Sequence, residues 1–296
     1  MGAKVMSFTY QEFTTRNFGF INQAEQEKLR DAHVFIPGVG GMGGACIQSL
    51  ARSGIGNFTI ADMDVFEVSN LNRQVFANLD TVDIEKSRAT EMALKRINPE
   101  INLRVFDGNW PAQTEEILKE VDIVVNGMDD VRETAKLYRA CRRHKLPMVD
   151  AYAASLPSVY VTRPNDQTPE ERLDYPTKNL EPEAWSEEIL DGVFIKELEY
   201  VMACSSSRKY IDMQAGAEMA AGTRSRMSFA PMVILTGNLM AYEAVNHILG
   251  RKSGADNRGY FFNPHTGGTE KPPFRLAEKA MRAIAGRMIR KLMEDA

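Results

Sequence analysis

The residues with the clearest chemical potential lie between positions 34 and 86, where glycines, a carboxylate and two cationic side chains follow one another. An apolar segment, 34–37, leads into the glycine-rich loop 38–43, and a helix is predicted to follow. Glycines at the start of a helix let backbone N–H groups approach a phosphate closely. A second apolar segment ends at Asp62, where such folds place the carboxylate that binds a ribose hydroxyl. These features predict a nucleotide site.

Two positive charges beyond Asp62 indicate more than dinucleotide binding. Arg73 belongs to the polar loop Ser69–Gln74, and Lys86 follows that loop. A plain dinucleotide site has no evident use for either cation, whereas both side chains suit the oxygens of a triphosphate. We therefore predict triphosphate chemistry.

Length and composition are those of a globular protein with one large domain or two small ones. The chain has 296 residues, of which 44% are hydrophobic and 26% charged, and a net charge of −4. No apolar run approaches the roughly 18 residues that span a bilayer, and the first residues lack the apolar core of a secretory signal. We expect a cytoplasmic protein without a membrane partner.

The cysteine content excludes two kinds of structural site, and the charge distribution does not indicate binding of nucleic acid. Cys46, Cys141 and Cys204 are too few and too far apart for a disulfide framework or a zinc site of four thiolates. Residues 166–200 contain eleven acids and three bases, whereas the tail from Arg251 contains ten bases and five acids. This asymmetry is too mild to argue for a nucleic-acid partner.

Hydrophobic patterns predict an α/β fold with a Rossmann-like doubly wound sheet, mostly parallel, with antiparallel strands at one end and helices on both faces. The expected parallel strands are 34–37, 58–61, 103–106, 122–126 and 146–151. The expected antiparallel strands are 158–162 and a closing hairpin at 260–268. The helices expected between and after them are 43–52, 85–98, 131–144 and 231–249.

We expect one domain over 1–296, with three appended regions. A helical lead-in, 8–32, is expected to be anchored by Phe18, Phe20, Ile21 and Leu29. Residues 163–227 are expected to form a loop-rich acidic insertion, in which 187–202 has a helical pattern. A final amphipathic helix, 274–293, is expected to pack through an apolar face made of Ala277, Met281, Ile284, Met288 and Leu292.

Taken together, the glycine loop, Asp62-Met63-Asp64, Ser69–Gln74, Lys86 and Met128-Asp129-Asp130 resemble the ubiquitin-activating-enzyme-like superfamily of ThiF, MoeB and HesA. The similarity covers roughly 10–165 and 228–268. It implies binding of ATP and Mg²⁺, adenylation of a carboxylate such as the C-terminal glycine of a ubiquitin-like or sulfur-carrier protein, and a homodimer.

The resemblance also implies roles for individual residues. The loop around Gly41 would hold phosphates and Asp62 the ribose, Arg73 and Lys86 would contact phosphate oxygens, and Asp129 would hold the metal. Arg16 resembles an arginine that reaches the partner subunit's site in this family. The candidate nucleotide contacts are Gly38, Gly40, Gly41, Gly43, Asp62, Asp64, Ser69, Asn70, Asn72, Arg73, Gln74, Lys86 and Asp130.

Three departures from the family pattern stand out, and the role of one cysteine is a separate question. The paired Cys-x-x-Cys motifs of the sulfur-carrier branch are missing, so no structural zinc is expected. Asp130 takes the place of an asparagine that many members have after the metal residue, and Pro37 replaces an apolar residue before the loop. Cys204 lies where the family often has a reactive thiol, and a thioester role would require it to be exposed with a lowered pKa.

Several functions remain open at this level. Adenylation of a carboxylate is the leading hypothesis, and the acceptor of the activated acyl group is unassigned. This hypothesis includes the branches of the family that modify ribosomal peptides. The run 141–147 is similar to that of tRNA threonylcarbamoyladenosine dehydratases, but the acidic segment 166–200 would repel RNA. An NAD-dependent oxidoreductase would leave Arg73, Lys86 and Asp129 unexplained, and an inactive scaffold subunit would leave the complete set of nucleotide contacts unexplained.

Overall fold

A computed structural model describes residues 8–152, 154–220 and 222–294 of the chain. They contain one eight-stranded sheet in the order β3–β2–β1–β4–β5–β6–β7–β8. The strands are β1 (His33–Pro37), β2 (Asn57–Ala61), β3 (Asn102–Phe106), β4 (Ile123–Val125), β5 (Met148–Asp150), β6 (Ser158–Thr162), β7 (Tyr260–Asn263) and β8 (Gly268–Glu270).

The first five strands run parallel and the last three antiparallel, which confirms the predicted fold class. Helices cover both faces of the sheet. The helices are α1 (Tyr10–Thr14), α2 (Gln23–Asp31), α3 (Gly41–Arg52), α4 (Lys86–Ile97), α5 (Thr114–Ile117), α6 (Val131–His144), α7 (Pro169–Leu173), α8 (Glu187–Cys204), α9 (Met213–Ala220), α10 (Ala230–Ile248) and α11 (Arg275–Glu294). Among these described helices, none is long and apolar enough to cross a membrane.

Two apolar cores sandwich the parallel strands. On one face, residues of α3, α4 and α10 pack on Ile36 and Phe58. On the other face, residues of α5 and α6 pack on Phe35 and Val124. Because β1 and β4 are covered on both sides, their sequences are almost continuously apolar, as the sequence analysis anticipated.

The lead-in is helical, as predicted, and two of its four expected anchors are confirmed. Leu29 and Ile21 pack on the core, whereas Phe18 and Phe20 are exposed. Polar contacts also hold this segment, since the Tyr10 hydroxyl donates to the Gly54 carbonyl at 2.6 Å and the Asn17 amide donates to the Ser53 carbonyl at 3.1 Å. Such long-range hydrogen bonds leave no periodic pattern in the sequence.

The insertion is more ordered than expected. The predicted helix over 187–202 is confirmed as α8, and α7 and α9 add two helices that were not predicted. A third core cluster joins α8 to Tyr160 of β6 and Phe261 of β7. The insertion is therefore packed on the antiparallel end of the sheet.

The final helix exists as predicted, but it buries a different face. Met281 and Ile284 are exposed, whereas Glu278 and Arg282 are buried. Glu278 lies 2.7 Å from the Arg258 guanidinium, and Arg282 donates to the Leu173 carbonyl at 2.6 Å. Because Arg258 and the Leu173 carbonyl pair with these charges, the helix can bury them.

The carboxyl edge of the sheet depends on a very close approach between two loops. Gly38 adopts a φ of +79°, and a Cβ added at Gly43 would lie 1.9 Å from the Gly38 carbonyl oxygen. A Cβ at Gly127 would lie 2.0 Å from that same oxygen. Pro37 ends β1, as expected, and its carbonyl accepts from the Gly127 N–H at 2.9 Å.

A buried polar pair at the ends of β4 and β5 fixes the loop that follows β4. The Asp150 carboxylate accepts from the Asn126 amide at 3.0 Å and from the Tyr138 hydroxyl at 2.8 Å. The other end of the Asn126 amide accepts from the Met128 N–H at 3.2 Å. Burial raises the pKa of Asp150 to about 6.

Gly43→Ala tests the close approach of the two loops. We expect it to lower the free energy of unfolding by about 1–3 kcal/mol, because the new Cβ must displace a backbone carbonyl. Gly216→Ala in α9 is the matched control, since its Cβ would meet no atom within 4 Å. Urea denaturation measures both variants, and equal stabilities would contradict the packing described.

Asp150→Asn tests the buried carboxyl. The folded protein retains the Asp150 proton up to a pH of about 6, whereas an unfolded aspartate loses it near about pH 4. The free energy of unfolding should therefore fall by on the order of 2 kcal/mol as the pH rises through this window.

Asp150→Asn should flatten that fall in stability, while Asp191→Asn at an exposed position of α8 should leave it unchanged. Urea denaturation series at intervals between pH 4 and pH 7 measure the slopes. A slope that Asp150→Asn does not change would refute the assignment.

Candidate functional site

One cavity of about 1270 Å³ lies over the carboxyl ends of β1, β2, β4 and β5. This is the edge at which open α/β sheets bind ligands. The cavity brings together residues that are far apart in the sequence. The predicted site residues that line it are Gly38, Gly40, Gly41, Asp62, Asp64, Ser69, Asn70, Asn72, Arg73, Gln74, Lys86, Asp129 and Asp130.

Asp62 ties the glycine loop to the end of β2. Its two carboxylate oxygens accept from the Val39 N–H at 2.9 Å and from the Asp64 N–H at 3.0 Å. Burial raises the pKa of Asp62, and the two backbone hydrogen bonds oppose that rise. A carboxylate oxygen has a second lone pair, so the side chain can hold a ribose hydroxyl and the loop together.

Lys86 and Arg73 are the two predicted cations that line the cavity. Lys86 is buried at the start of α4, and its Nζ lies 2.7 Å from the Asp64 carboxylate. The Arg73 guanidinium donates to the Ser69 carbonyl at 3.0 Å and to the Asn72 side chain at 2.9 Å. Most of the fork of Arg73 therefore stays available for phosphate oxygens.

Gln74 supplies independent support for a polar ligand. Its side chain is buried against Gly40, and its Oε1 has no hydrogen-bond partner. A buried acceptor without a partner costs about 1–3 kcal/mol. Since Gln74 also lines the cavity, a hydroxyl or amine of a bound ligand would satisfy this oxygen.

Asp129 and Asp130 have different surroundings although they are neighbours. Arg226 forms an ion pair with Asp129 at 3.2 Å, and the Asp129 carboxylate is otherwise largely exposed. Asp130 caps α6, because its carboxylate accepts from the Glu133 N–H at 2.9 Å. Asp130 therefore has a structural role, and the exposed Asp129 is the better metal ligand.

No cluster of three or more histidine, cysteine, aspartate or glutamate side chains suits a metal ion in the part of the chain that the structure describes. Asp129 alone still fits Mg²⁺, which keeps several waters and usually binds through one or two carboxylates together with phosphate oxygens.

Three predicted residues do not line the cavity. Gly43 supports the loop from beneath by its contact with Gly38. Arg16 is exposed in the short 3-10 turn that follows α1, outside its own chain's cavity. Cys204 is 5% exposed, and burial raises the pKa of its thiol to about 12. This is the opposite of the exposed, acidic thiol that a thioester role requires.

The sequence analysis missed two groups that shape the site. Arg226 covers Asp129, although it is 97 positions away in the chain. Trp110 packs on Phe35 and also lines the cavity. Neither position carries a motif, because both depend on how the insertion and a short loop fold back over the sheet.

Comparisons with known proteins agree with this geometry. Over 147 residues the chain is 35% identical to the molybdopterin-synthase adenylyltransferase of Haemophilus influenzae, a match that covers 48% of this chain and 60% of that protein. Over 124 residues it is 35% identical to the tRNA threonylcarbamoyladenosine dehydratase of the same organism, with 41% and 48% covered. The matches thus span less than two thirds of these relatives.

The solved structure of E. coli MccB with ATP superposes with a TM-score of 0.63 at 21% identity, covering 88% of this chain and 71% of MccB. At that identity the likeness establishes a shared fold. A model of the ThiF family matches residues 14–282, which is most of the chain. The chain belongs to the ThiF family.

Proposed function

We propose that this protein activates a carboxylate by ATP-dependent adenylation, releasing pyrophosphate. The observation that supports the proposal best is the composition of one cavity. A glycine loop, a ribose-type carboxylate and two cations line it together with an exposed aspartate. An oxidoreductase would use the first two features and would have no role for Arg73, Lys86 or Asp129.

The proposed chemistry is a single displacement at the α-phosphorus. A carboxylate oxygen of the donor forms a bond to that phosphorus, and the bond to the bridging oxygen of the β-phosphate breaks. The products are an acyl adenylate and pyrophosphate. Because negative charge accumulates on an already anionic group, the protein's part is mainly positioning and charge stabilisation.

Arg73 and Lys86 supply that stabilisation in different ways. Arg73 offers a planar fork to phosphate oxygens, whereas Lys86 offers a point charge. Lys86 must exchange the Asp64 carboxylate, now 2.7 Å away, for a phosphate oxygen. Asp129 would hold Mg²⁺, which neutralises phosphate charge, once Arg226 leaves it.

The donor is proposed to be a peptide or a carrier protein with a free C-terminal carboxylate. Cys204 has no part in this scheme, so the acyl group would pass directly from the adenylate to its acceptor. All three cysteines are unpaired and buried, which suits a cytoplasmic protein.

A tRNA substrate is the second candidate, because a tRNA-modifying relative matches the chain. The surroundings of the basic run 141–147 argue against it. Arg142 pairs with Glu171 at 2.6 Å, and Arg143 and His144 pair with Glu115. With its cations neutralised by the protein's own acids, this surface attracts a polyphosphate poorly.

A homodimer is proposed to complete each site. Arg16 is exposed and lies close in sequence to Phe18 and Phe20, two exposed aromatic side chains. Exposed apolar groups of this kind often mark a protein interface. A partner on this face would take Arg16 toward the partner's own nucleotide.

Arg73→Ala and Asp129→Ala test the proposed chemistry. Each should lower carboxylate-dependent exchange of labelled pyrophosphate into ATP by at least about 100-fold, because each removes charge stabilisation from the transition state. A panel of peptides with free C-termini serves as donors. Arg52→Ala, at the exposed end of α3, is the control.

Calorimetry measures ATP binding by the same variants, and thermal unfolding checks that they stay folded. Exchange at the wild-type rate in either variant would reject its assignment. Binding of NAD without binding of ATP would reject the proposed function.

Mixed dimers test Arg16. If Arg16 acts in the partner's site, Arg16→Ala and Arg73→Ala homodimers are both inactive, whereas a mixed dimer has one intact site. Equal mixing followed by subunit exchange should restore about a quarter of wild-type turnover. Full turnover by Arg16→Ala, or no recovery on mixing, would remove the cross-subunit role.

A further inference from the structure

The cavity extends well beyond the residues that a nucleotide would contact. Its second half lies over β4 and β5, between α8, α9, α11 and the start of α10. Six methionines line this half, and each is half-buried. We call it the methionine chamber, and its methionines are Met202, Met213, Met219, Met227, Met232 and Met293.

The negative charge at the chamber is confined to the segment that follows β4. Among the described residues that line the cavity there, the acids are Asp129, Asp130 and Glu133. Asp129 pairs with Arg226 at 3.2 Å, Asp130 caps α6, and the Glu133 carboxylate lies 2.7 Å from Lys136. Arg208 and Arg226 are the bases, and both are exposed at its wall. An apolar interior with basic groups at its wall matches a molecule that is apolar along its length and carries a carboxylate.

The chamber is continuous with the proposed reaction centre. Val233, which lines the chamber, lies so close to Gly41 that a Cβ there would be 2.6 Å from its Cγ1. Arg226, on the same wall, pairs with Asp129. A ligand that fills the chamber therefore points one end at the glycine loop.

The helices around the chamber are fixed, while its lining is adaptable. The ion pair of Arg290 with Glu199 at 3.7 Å joins α11 to α8, and the hydrogen bond from Arg282 to the Leu173 carbonyl joins α11 to α7. Methionine side chains are unbranched and polarizable, so they adjust to apolar groups of different shape. The chamber therefore suits apolar groups that differ in shape.

We propose that the methionine chamber binds the apolar acyl portion of the donor and directs its carboxylate to the glycine loop. The donor is accordingly a peptide that ends in apolar side chains, or a free acid with an apolar chain of similar length. This inference rests on the proposed adenylation. Each buried CH₂ of such a donor adds to the hydrophobic free energy of binding, which a glycine-terminated or charged tail cannot match.

The test measures binding, so it does not depend on turnover. Acetyl-Ala-Ala-Leu, acetyl-Ala-Ala-Gly, acetyl-Ala-Ala-Glu, acetyl-Ala-Ala-Lys and octanoic acid are titrated calorimetrically into the full chain. Each titration is done with and without Mg²⁺ and a non-hydrolysable ATP analogue. We expect the Leu-terminated peptide or octanoic acid to bind at least tenfold more tightly than the other three ligands.

Tighter binding of the Leu-terminated peptide identifies a peptide C-terminus as the source of the apolar chain. Tighter binding of octanoic acid identifies a free acid. Equal binding of the Gly- or Glu-terminated peptide would overturn the proposal, and so would the absence of any binding at millimolar concentration. Failure of the ATP analogue to bind would refute the adenylation, and the titrations without it would still decide on the chamber.

Two variants test the location. Met202→Glu and Met213→Glu place a charge in the chamber and should each weaken the apolar ligand at least tenfold while leaving the Kd of the ATP analogue unchanged. Met281→Glu, on the exposed face of α11, is the matched control. Unchanged ligand binding in both chamber variants would overturn the proposal, and unchanged binding of the ATP analogue shows that each variant is folded.

Discussion

The contact among Gly38, Gly43 and Gly127 is the constraint on which the site depends. Three backbones meet at the Gly38 carbonyl oxygen with no room for a side chain at Gly43 or Gly127. This contact joins the loop after β1 to the loop after β4. It therefore fixes the phosphate-type loop and the segment that carries Asp129 as one unit, and the cavity begins where these loops diverge.

Ion pairs balance the charges in the cavity, and a bound ligand would have to break these ion pairs. Lys86 is held by Asp64, and Arg226 is held by Asp129. Each pair keeps a cation close to the place where the proposal puts phosphate or metal. Since a desolvated charge is costly without a partner, Asp64 stabilises the buried Lys86 until an anionic ligand takes over this cation, whereas Arg226 and Asp129 form an exposed pair.

Local sequence patterns predicted the elements that pack on the sheet. The helix over Val131–His144 has the predicted boundaries, and the parallel strands differ from the prediction by no more than two residues at either end. These segments have clear periodicity and are bounded by glycine, proline or capping residues. The glycine loop, Asp62 and the polar loop were found because their residue types are demanded by backbone geometry and by charge.

Features that depend on distant partners could not be predicted in the same way. The buried face of α11 carries the charged residues Glu278 and Arg282. Their burial is stabilised by Arg258 and by the Leu173 carbonyl, which lie far away in the sequence. The burial of Cys204 follows from packing of the insertion, whose composition had indicated loops. The chamber likewise forms only when α8, α9 and α11 come together.

A crystal structure with Mg²⁺ and a non-hydrolysable ATP analogue tests the central claim most directly. The account predicts phosphates at the glycine loop, the ribose at Asp62, and Lys86 Nζ moved from its present 2.7 Å contact with Asp64 to a phosphate oxygen. Nucleotide bound elsewhere, or bound at the loop while Lys86 stays on Asp64 and Arg73 points away, would contradict it.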